Sequence, residues 1–154
     1  MNILVLCTGN SARSILLEAI LADLGYNSFS AGSRPAGQVH PVALETLERH
    51  GITPKHPRSK SWDEFAIPDA PEMDLVITVC GNAAGETCPV WPAKDGVVPL
   101  RTHWGVEDPA AASPKDQPGA FETAFQVLRR RALAFDALDD KRDRRALAAI
   151  GTLP

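Results

Sequence analysis

The chain opens on four consecutive apolar residues, Ile3-Leu4-Val5-Leu6, the pattern of a strand buried on both faces. Leu16, Ala19, Ile20 and Leu24 then recur at spacings of three and four, which predicts an amphipathic helix over residues 13–24, stopped by Gly25. Tyr26 to Ala31 reads as a short strand and Gly32 to Val39 as a Gly- and Pro-rich turn. A second helix begins at His40-Pro41, carries an inner stripe of Ala43, Leu44 and Leu47, and ends at Gly51. Residues 52–73 hold many prolines and charges around Trp62 and Phe65, which predicts a long connection with one short helix. Leu75-Val76-Ile77-Thr78-Val79-Cys80 is a second strand of the fully buried kind, and Val97 to Leu100 a last one. Phe121, Phe125, Leu128, Ala132 and Phe135 predict a long closing helix from Pro118 to Leu138.

Strands alternating with helices place the chain in the α/β class, as three layers: a small sheet of about four mostly parallel strands with helices on both faces. Its 154 residues suit one domain over residues 1–138, followed by a charged C-terminal tail, 139–154, that is expected to fray. The formal net charge of −3 supplies no basic field for nucleic acid, and the runs Arg129-Arg130-Arg131 and Lys141-Arg142-Asp143-Arg144-Arg145 read as solvated helix faces. No apolar segment approaches membrane-spanning length and no export signal is evident, so the expectation is a cytoplasmic protein. The three cysteines, Cys7, Cys80 and Cys88, are then unsuited to permanent cross-links. Seven residues separate the last two, and no second pair completes a zinc site.

Between the first strand and the first helix lies Cys7-Thr8-Gly9-Asn10-Ser11-Ala12-Arg13-Ser14. A tight loop running into a helix N-terminus aims backbone N–H groups at one point, where an oxyanion can sit. Here a thiol opens the loop and a guanidinium closes it. The N–H groups, the helix terminus and Arg13 are expected to pull the Cys7 pKa below the ordinary value and to place a thiolate against the bound anion. Gly9 lets the backbone crowd that anion, Arg13 grips two oxygens, and Ser14 donates its hydroxyl to the thiolate. Cys7 and Cys80 each close an apolar strand, so both fall on the carboxyl rim where ligands of a parallel sheet collect. Asp108, before Pro109 in the loop after the last strand, is either a general acid for the leaving oxygen or a plain Asp-Pro turn starter.

Cys-x5-Arg-Ser at the head of the chain resembles the low-molecular-weight tyrosine phosphatase fold, and the form CTGNSARS is most similar to its arsenate reductase branch. Further likeness lies in Ser30-Ala31-Gly32-Ser33, His40-Pro41, Ser59-Lys60-Ser61, Asp74 to Cys80, Cys88-Pro89 and His103 to Pro109. The resemblance implies reduction of arsenate by a thiol cascade: Cys7 as nucleophile, Arg13 as clamp, Asp108 as acid, and Cys80 and Cys88 as relay thiols. The oxyanion, arsenate or a phosphate- or sulfate-like relative, would lie on Thr8, Gly9, Asn10, Ser11, Ala12, Arg13 and Ser14. The resemblance also implies thioredoxin as the reductant and, in some members, a monovalent cation such as potassium on Asn10, Glu18 and Ser33, with no tightly bound cofactor.

Two departures qualify that likeness. The Cys80–Cys88 interval is one residue longer than the usual pattern, which leaves glutaredoxin with glutathione open as the donor, and Ala12 stands where many relatives carry another cysteine. The competing readings are a phosphatase working through a phosphocysteine at Cys7, and a non-enzymatic oxyanion-binding or phosphocarrier module. A phosphotyrosine pocket wants aromatic walls, yet Ala110-Ala111-Ala112 follow the Asp-Pro pair and Tyr26 is the chain's single tyrosine.

Overall fold

Two unbroken apolar strands lie side by side at the middle of a four-stranded sheet, β1 (Asn2–Cys7) and β3 (Leu75–Thr78), flanked by β2 (Asn27–Gly32) and β4 (Leu100–His103) in the order β2-β1-β3-β4. In this computed structural model, residues 1–80 and 98–154 are described. Every ladder among them is parallel, with Val5 opposite Ser30 and Ile77, and Ile77 opposite Thr102. Parallel neighbours require crossovers, and these are supplied by α1 (Arg13–Asp23), α2 (Pro41–Arg49) and the segments between.

Because side chains alternate along a strand, Ile3, Val5, Leu75 and Ile77 share one face and Leu4, Leu6 and Val76 the other. The first face packs against α1, α2, α3 (Gln117–Asp136) and α4 (Arg144–Ile150), with Phe121, Phe125, Leu128 and Phe135 of α3 fully buried. Burying each of these large side chains contributes about 1.5–3 kcal/mol before the entropy cost of ordering them. Among the described residues the second face is covered by a 3-10 turn, Trp62–Phe65, with Met73 and Phe29. No described helix is long and apolar enough to cross a membrane.

Three expectations shift. β4 starts at Leu100 and runs to His103, with Val98 and Pro99 before it and Val97 outside the described residues; the alternating residues of an edge strand form it. The segment 139–154 is not a fraying tail: Asp143 caps α4 by accepting from Arg145 and Ala146 N–H, and Leu147 and Ile150 bury against the core. Arg131 is not on a solvated face either, for it is only 6% exposed and its guanidinium is turned inward.

Candidate active site

The loop 7–13 is shaped by what its carbonyls do. Thr8 O accepts from Arg34 N–H (3.0 Å), Gly9 O from Ala36 N–H (2.8 Å) and the Ser59 hydroxyl (3.1 Å), and Ser11 O from His40 N–H (2.9 Å). The carbonyls are thus tied to residues 34–40 and 59. Asn10 makes the sharpest bend, at a left-handed φ of 46°, and is wholly buried. Its amide donates to Ser14 Oγ (2.8 Å) and Ser30 Oγ (2.9 Å) and its oxygen accepts from Lys60 N–H (2.9 Å), which offsets the strain of that conformation. The first N–H groups of α1 have no side-chain cap at Ala12.

Cys7, Thr8, Gly9, Asn10, Ser11, Ala12 and Arg13 line a cavity of about 290 Å³ whose remaining wall is Asp108 and Ala110. The structure therefore brings together all the loop residues singled out in the sequence except Ser14, whose hydroxyl is buried beneath the loop on Asn10 rather than on the Cys7 sulfur. Arg13 donates from Nη1 to Val106 O (2.8 Å), and its Nη2 lies 3.7 Å from Asp108 Oδ2. Its Nε is buried with no partner among the described residues, a donor available to an anion. Asp108 both caps the 3-10 turn Pro109–Ala111, accepting from Ala110 N–H at 3.1 Å, and faces the cavity.

Cys80 is buried beside Cys7, and its sulfur is met by Thr8 N–H at 3.2 Å and by the Thr8 hydroxyl at 3.4 Å. The expected depression of the Cys7 pKa is reversed in this arrangement. The Cys80 sulfur hydrogen-bonded to it and burial push the Cys7 thiol well above the ordinary cysteine range, against the opposing pull of Arg13 and of Thr8 N–H. Two sulfurs in contact cannot both ionise cheaply. Cys88 lies outside the described residues.

Behind the loop, the Ser30 hydroxyl donates to Glu18 Oε2, and burial pushes the Glu18 carboxyl up against the opposing pulls of Ser30, Lys60 and Arg58. Ser33 Oγ is buried without a partner among the described residues. No group of three or more His, Cys, Asp or Glu among the described residues could hold a metal ion. Sequence reasoning missed Ser30, Ser59 and Lys60 as loop supports, and Val106 as the anchor of Arg13. Lys60 and Val106 act through backbone atoms, which carry no residue-type signal.

The low molecular weight phosphotyrosine protein phosphatase family matches this chain over residues 2–144. An arsenate reductase of Halalkalibacterium halodurans is 37% identical over 129 residues, 81% of this chain and 82% of that one. Two solved structures of an arsenate reductase, in an oxidized state and in a phosphate binding state, superpose with TM-scores of 0.68 and 0.65 at 25% and 26% identity. Each covers 88% of this chain and 96% of its own.

Proposed function

We infer the reaction from family membership: the chain belongs to the low-molecular-weight phosphotyrosine protein phosphatase family, and within it to the arsenate reductases, and is an enzyme with cysteine-based redox chemistry. The reading it supports is reduction of arsenate to arsenite. One observation carries it: a second sulfur, Cys80, is held against the nucleophile candidate Cys7, which lines the oxyanion cradle. Hydrolysis needs no such neighbour; a two-electron reduction does.

In this reading arsenate binds to the loop N–H groups and Arg13, and the Cys7 thiolate attacks arsenic. An As–O bond breaks, and Asp108 supplies the proton that lets the oxygen leave as water. Cys80, as thiolate, then attacks the Cys7 sulfur. The S–As bond breaks, its electron pair stays on arsenic, and arsenite departs as the Cys7–Cys80 disulfide forms. Cys88 attacks Cys80, Cys7 leaves as thiolate, and a dithiol reductant reduces the Cys80–Cys88 pair. The family resemblance points to thioredoxin for that reductant, with glutaredoxin and glutathione as the alternative, and to a reducing, cytoplasmic setting.

Protons follow the same geometry. The contact that keeps Cys7 protonated is with the sulfur that must later attack it, so one proton has to leave the pair as the oxyanion enters. Arg13, anchored on Val106 O, and the loop N–H groups favour that loss once the anion brings its own proton acceptor.

The residues behind the loop fit a monovalent cation. Ser33 Oγ has no partner among the described residues, Glu18 is a buried carboxyl, and Asn10 Oδ1 has a second lone pair beyond its bond to Lys60. Potassium on Asn10, Glu18 and Ser33 would offset the charge of Glu18 and brace the Asn10 bend. It would take no part in the sulfur chemistry.

The phosphatase reading finds no aromatic wall among the described residues. Ala110 lines the cavity, and Tyr26 is remote, packed on Phe135 and bonded to Asp136. The deciding measurement is arsenate turnover with thioredoxin or with glutathione and glutaredoxin, on wild type and each single Cys→Ser variant. Loss of arsenite release in Cys80→Ser and Cys88→Ser, with phosphate binding kept, supports the reductase. Reductant-independent hydrolysis without arsenate turnover makes the chain a phosphatase, and phosphate bound equally by wild type and both variants with neither turnover makes it a binding module.

A further inference from the structure

Arg131 is a buried guanidinium with no carboxylate within ion-pair distance among the described residues. Taking such a charge out of water is costly, and here carbonyl oxygens compensate it: Nη1 donates to Gly105 O at 3.1 Å and Nε to Leu153 O at 2.9 Å. Neither partner is incidental. Gly105 precedes Val106, whose carbonyl anchors Arg13, and stands three residues before Asp108. Leu153 lies beyond α4, in a part of the chain that the family match does not reach.

The short span 104–106 is gripped from two sides. On the sheet side Trp104 N–H donates to Thr78 O (2.8 Å) and Val106 N–H to Val79 O (2.9 Å), the residue before Cys80. On the other side Arg131 holds Gly105, Trp104 Nε1 donates to Leu147 O (3.0 Å), and Gly151 packs so closely that a Cβ there would lie 2.3 Å from His103 O. Arg130 donates to the Pro154 carbonyl.

We propose that Arg131 is a positioning residue for the oxyanion chemistry: bridging Leu153 O and Gly105 O, it fixes span 104–106 so that Val106 aims Arg13 into the cradle and Asp108 faces it. The segment from α4 to Leu153 is thus a brace on the active site. The inference rests on the Cys7–Arg13 cradle being the reaction site. It does not depend on whether arsenic or phosphorus is the centre attacked.

Arg131→Met removes the fork while keeping a long apolar stem, and Arg131→Lys keeps the charge but can bridge the two carbonyls only poorly. The readouts are the dissociation constant of inorganic phosphate and kcat and KM for arsenate, taken well below each variant's melting temperature. Arg131→Met is expected to weaken phosphate binding about fivefold and lower arsenate kcat/KM about tenfold or more, with Arg131→Lys between it and wild type. Combined with Arg13→Ala, the phosphate losses should not multiply, because both changes disable one group. A folded Arg131→Met with wild-type phosphate affinity, or losses that multiply in the double variant, would overturn the proposal by leaving Arg131 a purely structural role. If Arg131→Met does not fold, Trp104→Phe, which loses the bond to Leu147 O, is measured in the same way and is expected to weaken phosphate binding about twofold; unchanged affinity there counts against the brace. A wild type that binds phosphate but turns over no arsenate sinks the reductase reading and leaves this test standing.

Discussion

Thr8 holds the Cys80 sulfur through two groups at once, its backbone N–H at 3.2 Å and its hydroxyl at 3.4 Å. A residue of the loop 7–13 thereby contacts the second sulfur, so the proposed cradle and the proposed relay share one support. Thr8→Val removes the hydroxyl contact and keeps the N–H and the side-chain volume. Losing one hydrogen bond to a reacting group is worth about 0.5–1.5 kcal/mol, or a twofold to tenfold fall in arsenate kcat. Phosphate affinity should fall by less, and an equal fall in both would mean that Thr8 serves the anion and not Cys80.

Cys7 titration supplies a second check. Hydrogen bonding with Cys80 and burial hold its pKa up, so the folded chain keeps a proton that the unfolded chain gives up. The stability from this group is complete below the ordinary cysteine value of about 8.5 and is lost as pH rises beyond it. Cys80→Ala removes the largest upward cause. Alkylation of Cys7 by iodoacetamide at pH 7, followed by peptide mass spectrometry, should be faster in that variant, since each unit of pKa fall raises the thiolate fraction about tenfold. Slower labelling would show that Cys80 assists ionisation of Cys7.

Gly32 sits under the loop with no room to spare. A Cβ there would lie 2.4 Å from Thr8 O and 3.0 Å from Cys7 O, both backbone atoms that cannot turn aside. Gly32→Ala should cost about 1–3 kcal/mol in chemical denaturation and weaken phosphate binding as the loop is displaced. Gly25→Ala is the contrasting case. Its φ of 95° strains an alanine, yet nothing lies within 4 Å of the added carbon, so stability should fall while phosphate affinity holds.

Burial raises the Glu18 pKa, so its contribution to stability is present below the ordinary Glu value of about 4.3 and is lost as pH climbs through the raised folded value. The melting-temperature margin of wild type over Glu18→Gln should therefore shrink between pH 4 and pH 7. Potassium chloride, compared with tetramethylammonium chloride, should restore part of the margin at pH 7 in wild type and none in the variant. A margin that widens with pH would mark ionised Glu18 as stabilising by itself.

Much of this was legible in the chain because apolar runs and spacings dictate burial directly. Ile3 to Leu6 and Leu75 to Ile77 form central strands where continuous apolar sequence requires them, and the stripe from Phe121 to Phe135 faces the sheet as its period demands. What failed was the reading of polar residues from composition. Arg131 looked like part of a solvated run, although it falls three residues after Leu128 and four before Phe135, on the buried stripe. Asp143, Leu147 and Ile150 likewise spell a capped helix with an apolar spacing of three, hidden by the charges around them. The relation between Cys7 and Cys80 was legible as a shared rim. Its effect on protonation was not, since that depends on contact between the two sulfurs.

The parallel register also anchors the two sulfurs unequally. Cys7 belongs to β1 itself, paired with Gly32 on one flank, while the neighbouring strand grips Leu6 O through Val79 N–H on the other. Cys80 lies two residues past the end of β3, bonded to Thr8 through its side chain. In the proposed relay the exchange of bonding partners would therefore displace Cys80 more than Cys7, leaving the first sulfur as a stationary terminal from which oxidation is carried away.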